Sequence, residues 1–259
     1  MNKTALVTGA SAGLGKEYAW LFAADGHDVV LVARRKDKLE ELAREIEAKH
    51  TNVKAHVLAE DLAAPGASER IAAALRERKI EIEFLVNNAG FGAAGAFAES
   101  EPARQLEMIQ VNVVVLTTLT RLLLPDMIAR RSGRVLNIGS TAGFLPGPFM
   151  CVYYATKAYV NSFTEALSVE LAGAGVTATV SCPGATATEF AAVAGNDKSP
   201  LFDSGVMTAA EVAKDGYDAM FRGEALAVAG FKNKMRIASL RIAPRGMARS
   251  IAAKLNQNK

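Results

Sequence analysis

Tyr153 and Lys157, inside the stretch FMCVYYATKAYVNSF (149–163), stand four residues apart. On a helix that spacing sets a phenol and an ammonium on one face, a turn from each other. Free tyrosine titrates near ~10, too high for easy proton exchange at neutral pH; a neighbouring cation favours the phenolate and lowers that value. Ser140 precedes Tyr153 by thirteen residues, and a hydroxyl placed opposite such a helix could donate to a substrate oxygen. Asn112 lies in the apolar run IQVNVVVL, where an unpartnered amide would be costly. Plainer readings stand beside these: a helix with core aromatics and one solvated lysine, and a serine in a turn. Tyr154 and Tyr159 compete for the same role, but Tyr154 is three residues from Lys157 and Tyr159 faces elsewhere, so Tyr153 is the better aligned partner.

The elements that must hold these side chains follow from the hydrophobic pattern. TALVT (4–8) reads as a buried strand running into GASAGLG (9–15) and a helix from Lys16 to Ala24. A strand, a glycine turn and a helix start bring free N–H groups and a positive helix end to one point, which suits a pyrophosphate. The spacing is G-x-x-x-G-x-G rather than the standard G-x-G-x-x-G, and alone it could be an ordinary turn. HDVVLVA (27–33) supplies a second strand and so a β-α-β unit. Where a site for a ribose 2′-hydroxyl places an acid, the chain has Ala33, Arg34 and Arg35. Guanidiniums match a 2′-phosphate, favouring NADP over NAD, although these residues also begin a basic helix over 37–49.

Further strands are expected at 53–59, ending at Asp61 and Leu62, and at 82–90, which turns polar at Asn87-Asn88-Ala89-Gly90. Others are expected at 134–138, 176–182 and 225–229, with helices over 67–78, 101–130 and from Tyr153 to Gly173. Pro125 is expected to kink or end its helix. Residues 185–206 read as a mobile lid, and Thr208 to Glu211 as a capping box.

With 259 residues, 50 % hydrophobic, 22 % charged and a mean hydropathy of +0.13, the chain fits one large α/β unit. No stretch reads as membrane-spanning or as a secretory signal, and Cys151 and Cys182 fit neither a metal site nor a disulfide framework, so a cytoplasmic setting is expected. The net charge of +3 conceals a basic end: eight Lys or Arg and no acid over 232–259, against 22 basic and 27 acidic residues before it. No nucleic-acid partner and no metal are expected.

Together, Thr8 to Gly15, Asn87 to Gly90, Asn112, Ser140, Tyr153-x-x-x-Lys157 and Pro183-Gly184 resemble the short-chain dehydrogenase/reductase family in order and spacing, from Thr4 to about Gly230. The resemblance implies a single-domain, doubly wound (Rossmann) parallel sheet of about seven strands over 1–231, with 232–259 an extension that is not an independent domain. It implies that NADP(H) lies against Gly9, Ser11, Gly13, Leu14 and Gly15, with Asp61 and Leu62 near the adenine. Asn88 would face the adenosine side and Thr186 or Thr188 the nicotinamide amide, with Ala89, Gly90, Pro183 and Gly184 also against the cofactor. Tyr153 would be the general acid/base, and Lys157 would lower its pKa and bind the nicotinamide ribose. Ser140 would polarise the carbonyl and Asn112 hold a water on a proton path. The turn lacks the extra basic residue of many NADP-preferring members, which leaves Arg34, and secondarily Arg35, to choose the cofactor.

On this basis the expected activity is NADPH-dependent reduction of a ketone or aldehyde, with a cofactor-binding sensor lacking turnover as the alternative. The resemblance further implies a homodimer or homotetramer. The expected substrate pocket, Phe91, Ala93, Ala94, Phe144, Leu145, Pro146, Phe149, Phe190 and Phe202, is mostly apolar, so a neutral apolar small molecule is expected. The basic end could instead fold over the cleft through Lys232, Lys234 or Arg236, pack on a partner subunit, or make a peripheral membrane contact.

Overall fold

The structure, a computed structural model, describes residues 2–197, 199–200, 205–240 and 242–256. Seven parallel strands form one sheet in the order β3-β2-β1-β4-β5-β6-β9: β1 (Thr4–Thr8), β2 (Asp28–Ala33), β3 (Ala55–Ala59), β4 (Phe84–Asn87), β5 (Gly133–Ile138), β6 (Val176–Cys182) and β9 (Leu226–Val228). This is the doubly wound sheet expected. Its short, β-branched apolar strands suit a sheet buried on both faces. Alternate residues divide between the faces: Ala5, Val7, Val29, Leu31, Phe84 and Val86 meet Tyr18, Phe22 and Tyr217 on one side. Leu6, Val30, Val32, Leu85, Val135 and Ala178 meet Ile71, Leu119 and Leu167 on the other.

Helices α1 (Gly13–Ala24), α2 (Lys36–Lys49) and α8 (Ala209–Arg222) cover the first face. Helices α3 (Ala67–Glu77), α4 (Pro102–Ile109), α5 (Leu116–Ala129) and α6 (Cys151–Glu170) cover the second. The capping box forms as expected, Thr208 Oγ1 accepting from the Glu211 N–H and Glu211 reaching back to the Thr208 N–H. α4 and α5 are joined through a π-helical turn, Gln110–Val115, that contains Asn112. Pro125 does not end the helix, which runs on to Ala129, one turn further. By length and composition Pro102–Ala129 is a helix that could cross a bilayer. Here Met108, Val115, Leu119 and Met127 are buried in the core, while Leu106, Ile109, Val114 and Ile128 are exposed.

The lid region is part structured: β7 (Thr186–Ala187) pairs with β8 (Met207–Thr208), and α7 (Phe190–Ala194) lies between them in sequence. Phe202 lies outside the described residues. The basic end forms α9 (Phe231–Leu240) and α10 (Arg245–Asn256), and both fold back onto the carboxyl edge of the sheet, beside the lid.

Candidate active site

β1, β4, β5 and β6 all finish at one edge of the sheet, and the chain reverses its direction of winding between β1 and β4, where α/β sheets bind ligands. A cavity of about 640 Å³ opens along this edge, within the range of small-molecule sites.

One end of it is the glycine turn. Gly9 has φ +68°, and a Cβ there would stand 2.8 Å from Asn88 Nδ2; a Cβ on Gly15 would stand 2.3 Å from the Gly9 carbonyl oxygen. Only glycine allows this approach. Thr8 Oγ1 accepts from the Asn88 and Ala89 N–H groups, 3.0 Å each, and Asn88 Nδ2 donates to the Thr8 carbonyl at 2.8 Å, so the turn and the end of β4 lock together. At the start of α1 no side chain caps the helix and no acid occupies its first turn. The first-turn N–H groups and the positive helix end therefore have no acid of their own helix to meet them, which fits the pyrophosphate of a dinucleotide.

Of the residues read from the sequence as cofactor contacts, Gly9, Ser11, Gly13, Leu14, Asn88, Ala89, Gly90, Pro183, Gly184, Thr186 and Thr188 line the cavity. Gly15 lies behind the turn. Asp61 sits past β3, its carboxylate accepting from the Ala63 N–H at 3.0 Å, and Leu62 is buried in the core; neither lines the cavity. The two arginines part company. Arg35 lines the cavity, donating to Ser11 Oγ at 3.2 Å and pairing at 3.2 Å with Glu189 of the lid. Arg34 turns to Glu107 at 3.7 Å and does not line the cavity. Both pairs are exposed and loose, worth about 0–1 kcal/mol, so either guanidinium is free to exchange its carboxylate for a phosphate.

The other end holds the proton chemistry. α6 begins at Cys151 and brings Tyr153 and Lys157 inward together; both are buried. Lys157 Nζ donates to the Ile138 carbonyl at 2.7 Å and lies 5.9 Å from the centre of the Tyr153 ring. Ser140, two residues past β5, donates to the Pro183 carbonyl at 3.4 Å and accepts from the Ala142 N–H at 3.0 Å, close enough to the Tyr153 phenol to influence its titration. Burial pushes the Tyr153 phenol above its ordinary value, partly offset by Ser140. Burial likewise pushes Lys157 down to about 8. Desolvation is the largest influence on the phenol in this pocket, so its value lies above that of free tyrosine, and the expected lowering by Lys157 does not emerge here. Tyr153 is held protonated at neutral pH.

Asn112 does not line the cavity. Its Nδ2 donates to the Phe91 carbonyl (3.0 Å) and to Thr156 Oγ1 (3.1 Å), and its Oδ1 accepts from the Phe91 N–H (3.1 Å). Thr156 in turn donates to the Tyr153 carbonyl at 2.7 Å. The side chain therefore positions the NNAG segment against α6 and has no donor left for a water.

Of the expected substrate residues, Phe91, Leu145 and Phe190 line the cavity, Phe190 with its ring 5.2 Å from that of Tyr153. Ala93, Ala94 and Phe144 pack behind the wall, and Pro146 and Phe149 are not part of it. Tyr154, a weaker candidate in the sequence, also lines the cavity, and so does Arg236, one of the residues through which the basic end could fold over the cleft; the sequence did not point to Met150, Val193 or Asn196, nor to Asn233, Ile237, Leu240, Ile251, Ala252 and Leu255 of α9 and α10. The Tyr154 hydroxyl donates to Asn256 Oδ1 at 2.9 Å, and Asn256 Nδ2 donates to the Pro148 carbonyl at 2.9 Å, fastening α10 over the cavity. Asn161 was missed too; its Nδ2 donates to the Ser140 carbonyl at 3.2 Å and fixes that residue from α6.

Fold and site together fit a dinucleotide-binding α/β protein. The family model for short chain dehydrogenases matches residues 3–199, and the chain belongs to that family, whose members depend on NAD(P). It is 34 % identical over 197 residues, 74 % of this chain, to the very-long-chain 3-oxoacyl-CoA reductase of Homo sapiens, and spans 62 % of the length of that protein. It is 35 % identical over 224 residues to the sulfoacetaldehyde reductase of Chromohalobacter salexigens, covering 85 % of this chain and 87 % of that one. Among solved structures, a short-chain dehydrogenase from Sphingobium yanoikuyae in complex with NADPH aligns with a TM-score of 0.84 at 33 % identity, over 95 % of this chain and 94 % of that one.

Proposed function

We propose that the protein reduces a ketone or aldehyde with NADPH, and runs in reverse as an NADP-linked alcohol dehydrogenase. The observation that carries this reading is the buried Tyr153 phenol, lining the same apolar cavity as Ser140 and Lys157, which continues to the uncapped start of α1.

The nicotinamide, when bound, supplies the hydride. The residues do the rest. Ser140 and Tyr153 converge on one point, where a carbonyl oxygen would accept from both hydroxyls and become more electrophilic. Tyr153 gives its proton to that oxygen as the alkoxide develops. The phenolate left behind is stabilised by the Lys157 ammonium, which is charged below a pH of about 8. Asn112, through Thr156 and Phe91, holds the two halves of the site in register. Phe190 and the apolar walls exclude water from the reacting carbonyl. A protonated tyrosine favours the reductive direction at neutral pH.

The cavity walls favour a substrate whose body is apolar carbon. Arg236 at the same cavity favours a second reading, in which that apolar body ends in an anion; 3-oxoacyl-CoA and sulfoacetaldehyde, the compounds for which the two relatives are named, carry one. Free Cys151 and Cys182 suit a reducing cytoplasm. NADPH consumption across a panel of apolar ketones, aldehydes and their anionic counterparts tests the reading. Turnover of a subset is expected; cofactor binding without turnover on any of them would make the protein a sensor.

A further inference from the structure

α9 has two faces with different tasks. Its Asn233, Ile237 and Leu240 line the cavity. At about 100° per residue, Phe231, Met235 and Ala238 fall on the opposite side, with Lys232 and Lys234 on its two flanks. Phe231 is 76 % and Met235 57 % exposed, and the link to α10 adds Ile242 at 88 %. On α10, Met247 and Ile251 are 56 % and 50 % exposed, with Arg245, Arg249 and Lys254 on the same helix. No acid follows Glu224 in the chain. Among the described residues, none of Lys232, Lys234, Arg236, Arg245, Arg249 and Lys254 is in an ion pair, although the rest of the chain pairs its cations freely. Large apolar side chains in water beside unpaired cations are the chemistry of a helix that lies in a lipid–water boundary.

We propose that α9 and α10 dock the protein on an anionic lipid surface, with Phe231, Met235 and Ile242 entering the headgroup boundary and the lysines and arginines meeting lipid phosphates and carboxylates. A protein partner would need its own matching acidic rim and apolar groove; a bilayer supplies both along any line, and the lack of acids over the whole segment matches a uniformly negative surface. The position of the cavity supports the choice. Ile251 is both half exposed and part of the cavity wall, so α10 reaches from the cavity to the surface of the same basic end. A carbonyl compound dissolved in lipid would then enter without crossing water. This last step rests on the reductase reading above; the docking does not.

The test is sedimentation of the full chain, with NADPH present, on vesicles of phosphatidylcholine alone and of phosphatidylcholine with about one third phosphatidylserine. Partitioning at least ~10-fold stronger on the anionic vesicles at about 0.1 M salt is expected, and fading towards 1 M as screening sets in. Lys232→Glu/Lys234→Glu should lower it at least ~10-fold, since one basic residue contributes roughly fivefold. Phe231→Ser/Met235→Ser should lower it comparably, and both variants should turn over a water-soluble carbonyl as the parent does. Equal partitioning on both vesicles, absence of binding, or binding that neither variant weakens would overturn the proposal. A fall in mass by light scattering for the Phe231→Ser/Met235→Ser protein would assign the face to a second copy of the chain instead.

Discussion

Lys157 shows most clearly what a residue carries that its spacing does not. Tyr153, Lys157, Ser140 and Asn112 were legible because their order and intervals are constrained by one sheet edge and one helix. Their protonation was not, since burial is a property of the assembled pocket. Lys157 titrates at about 8 in the fold against 10.5 when unburied. Between those values the unfolded chain binds more protons, so stability rises with pH across that window, and the cost of burying the charge is full below pH 8. Lys157→Met is therefore expected to stabilise the fold at pH 7, on the order of 2 kcal/mol after loss of the bond to Ile138. Thermal unfolding should show this gain shrinking between pH 8 and 10.5 while reduction is largely lost. A lower melting temperature at pH 7 would show the ammonium to be well solvated. Arg34 and Arg35 make the same point about direction: the sequence marks both, and the fold turns one to the cavity and the other to Glu107. Replacing both by Ala should weaken NADPH by about 1.5–3 kcal/mol, the range for bonds to charged groups, with NADH changed little. Equal loss for the two cofactors in a binding titration would make them surface residues only.

Among the elements, the strands and the glycine turn were readable because each is written in a short local pattern, and the capping box at Thr208 fixed the start of α8 to the residue. The π turn at Gln110–Val115 was not, because nothing in IQVNVVVL distinguishes it from ordinary helix until Asn112 meets Phe91 and Thr156. Folding over the cleft was one of the destinations open to the basic end in the sequence, but the contacts that fix it were not legible: Ala248, Ala252 and Asn256 recur at helical spacing, while the partner of Asn256 lies about a hundred residues earlier. Asn256→Ala leaves the buried Tyr154 hydroxyl without its acceptor and should cost about 1–3 kcal/mol. It should also raise KM for bulky apolar substrates with NADPH affinity unchanged. A change in NADPH binding, with KM unaltered, would place α10 on the cofactor side rather than the substrate side.

For the whole molecule, an acidic body with a basic, apolar end was plain in the composition, and the alternation of strands and helices, with the family resemblance, led to a doubly wound parallel sheet, whereas the strand order is read from the fold alone. Leu106, Ile109, Val114 and Ile128 on α4 to α5, and Val169 on α6, stand exposed on the helices of one face. These residues fit a self-complementary interface. We expect a dimer or tetramer by light scattering at micromolar concentration, and a monomer mass would contradict that. The central claim is that this edge of the sheet reduces a carbonyl with Tyr153 as the proton donor. Single-turnover oxidation of NADPH by the parent and by Tyr153→Phe, with cofactor affinity followed in the same samples, tests it most directly. The account predicts a fall of about 10²- to 10⁴-fold in the rate for the variant, at unchanged NADPH affinity; an equal rate in both proteins would contradict it.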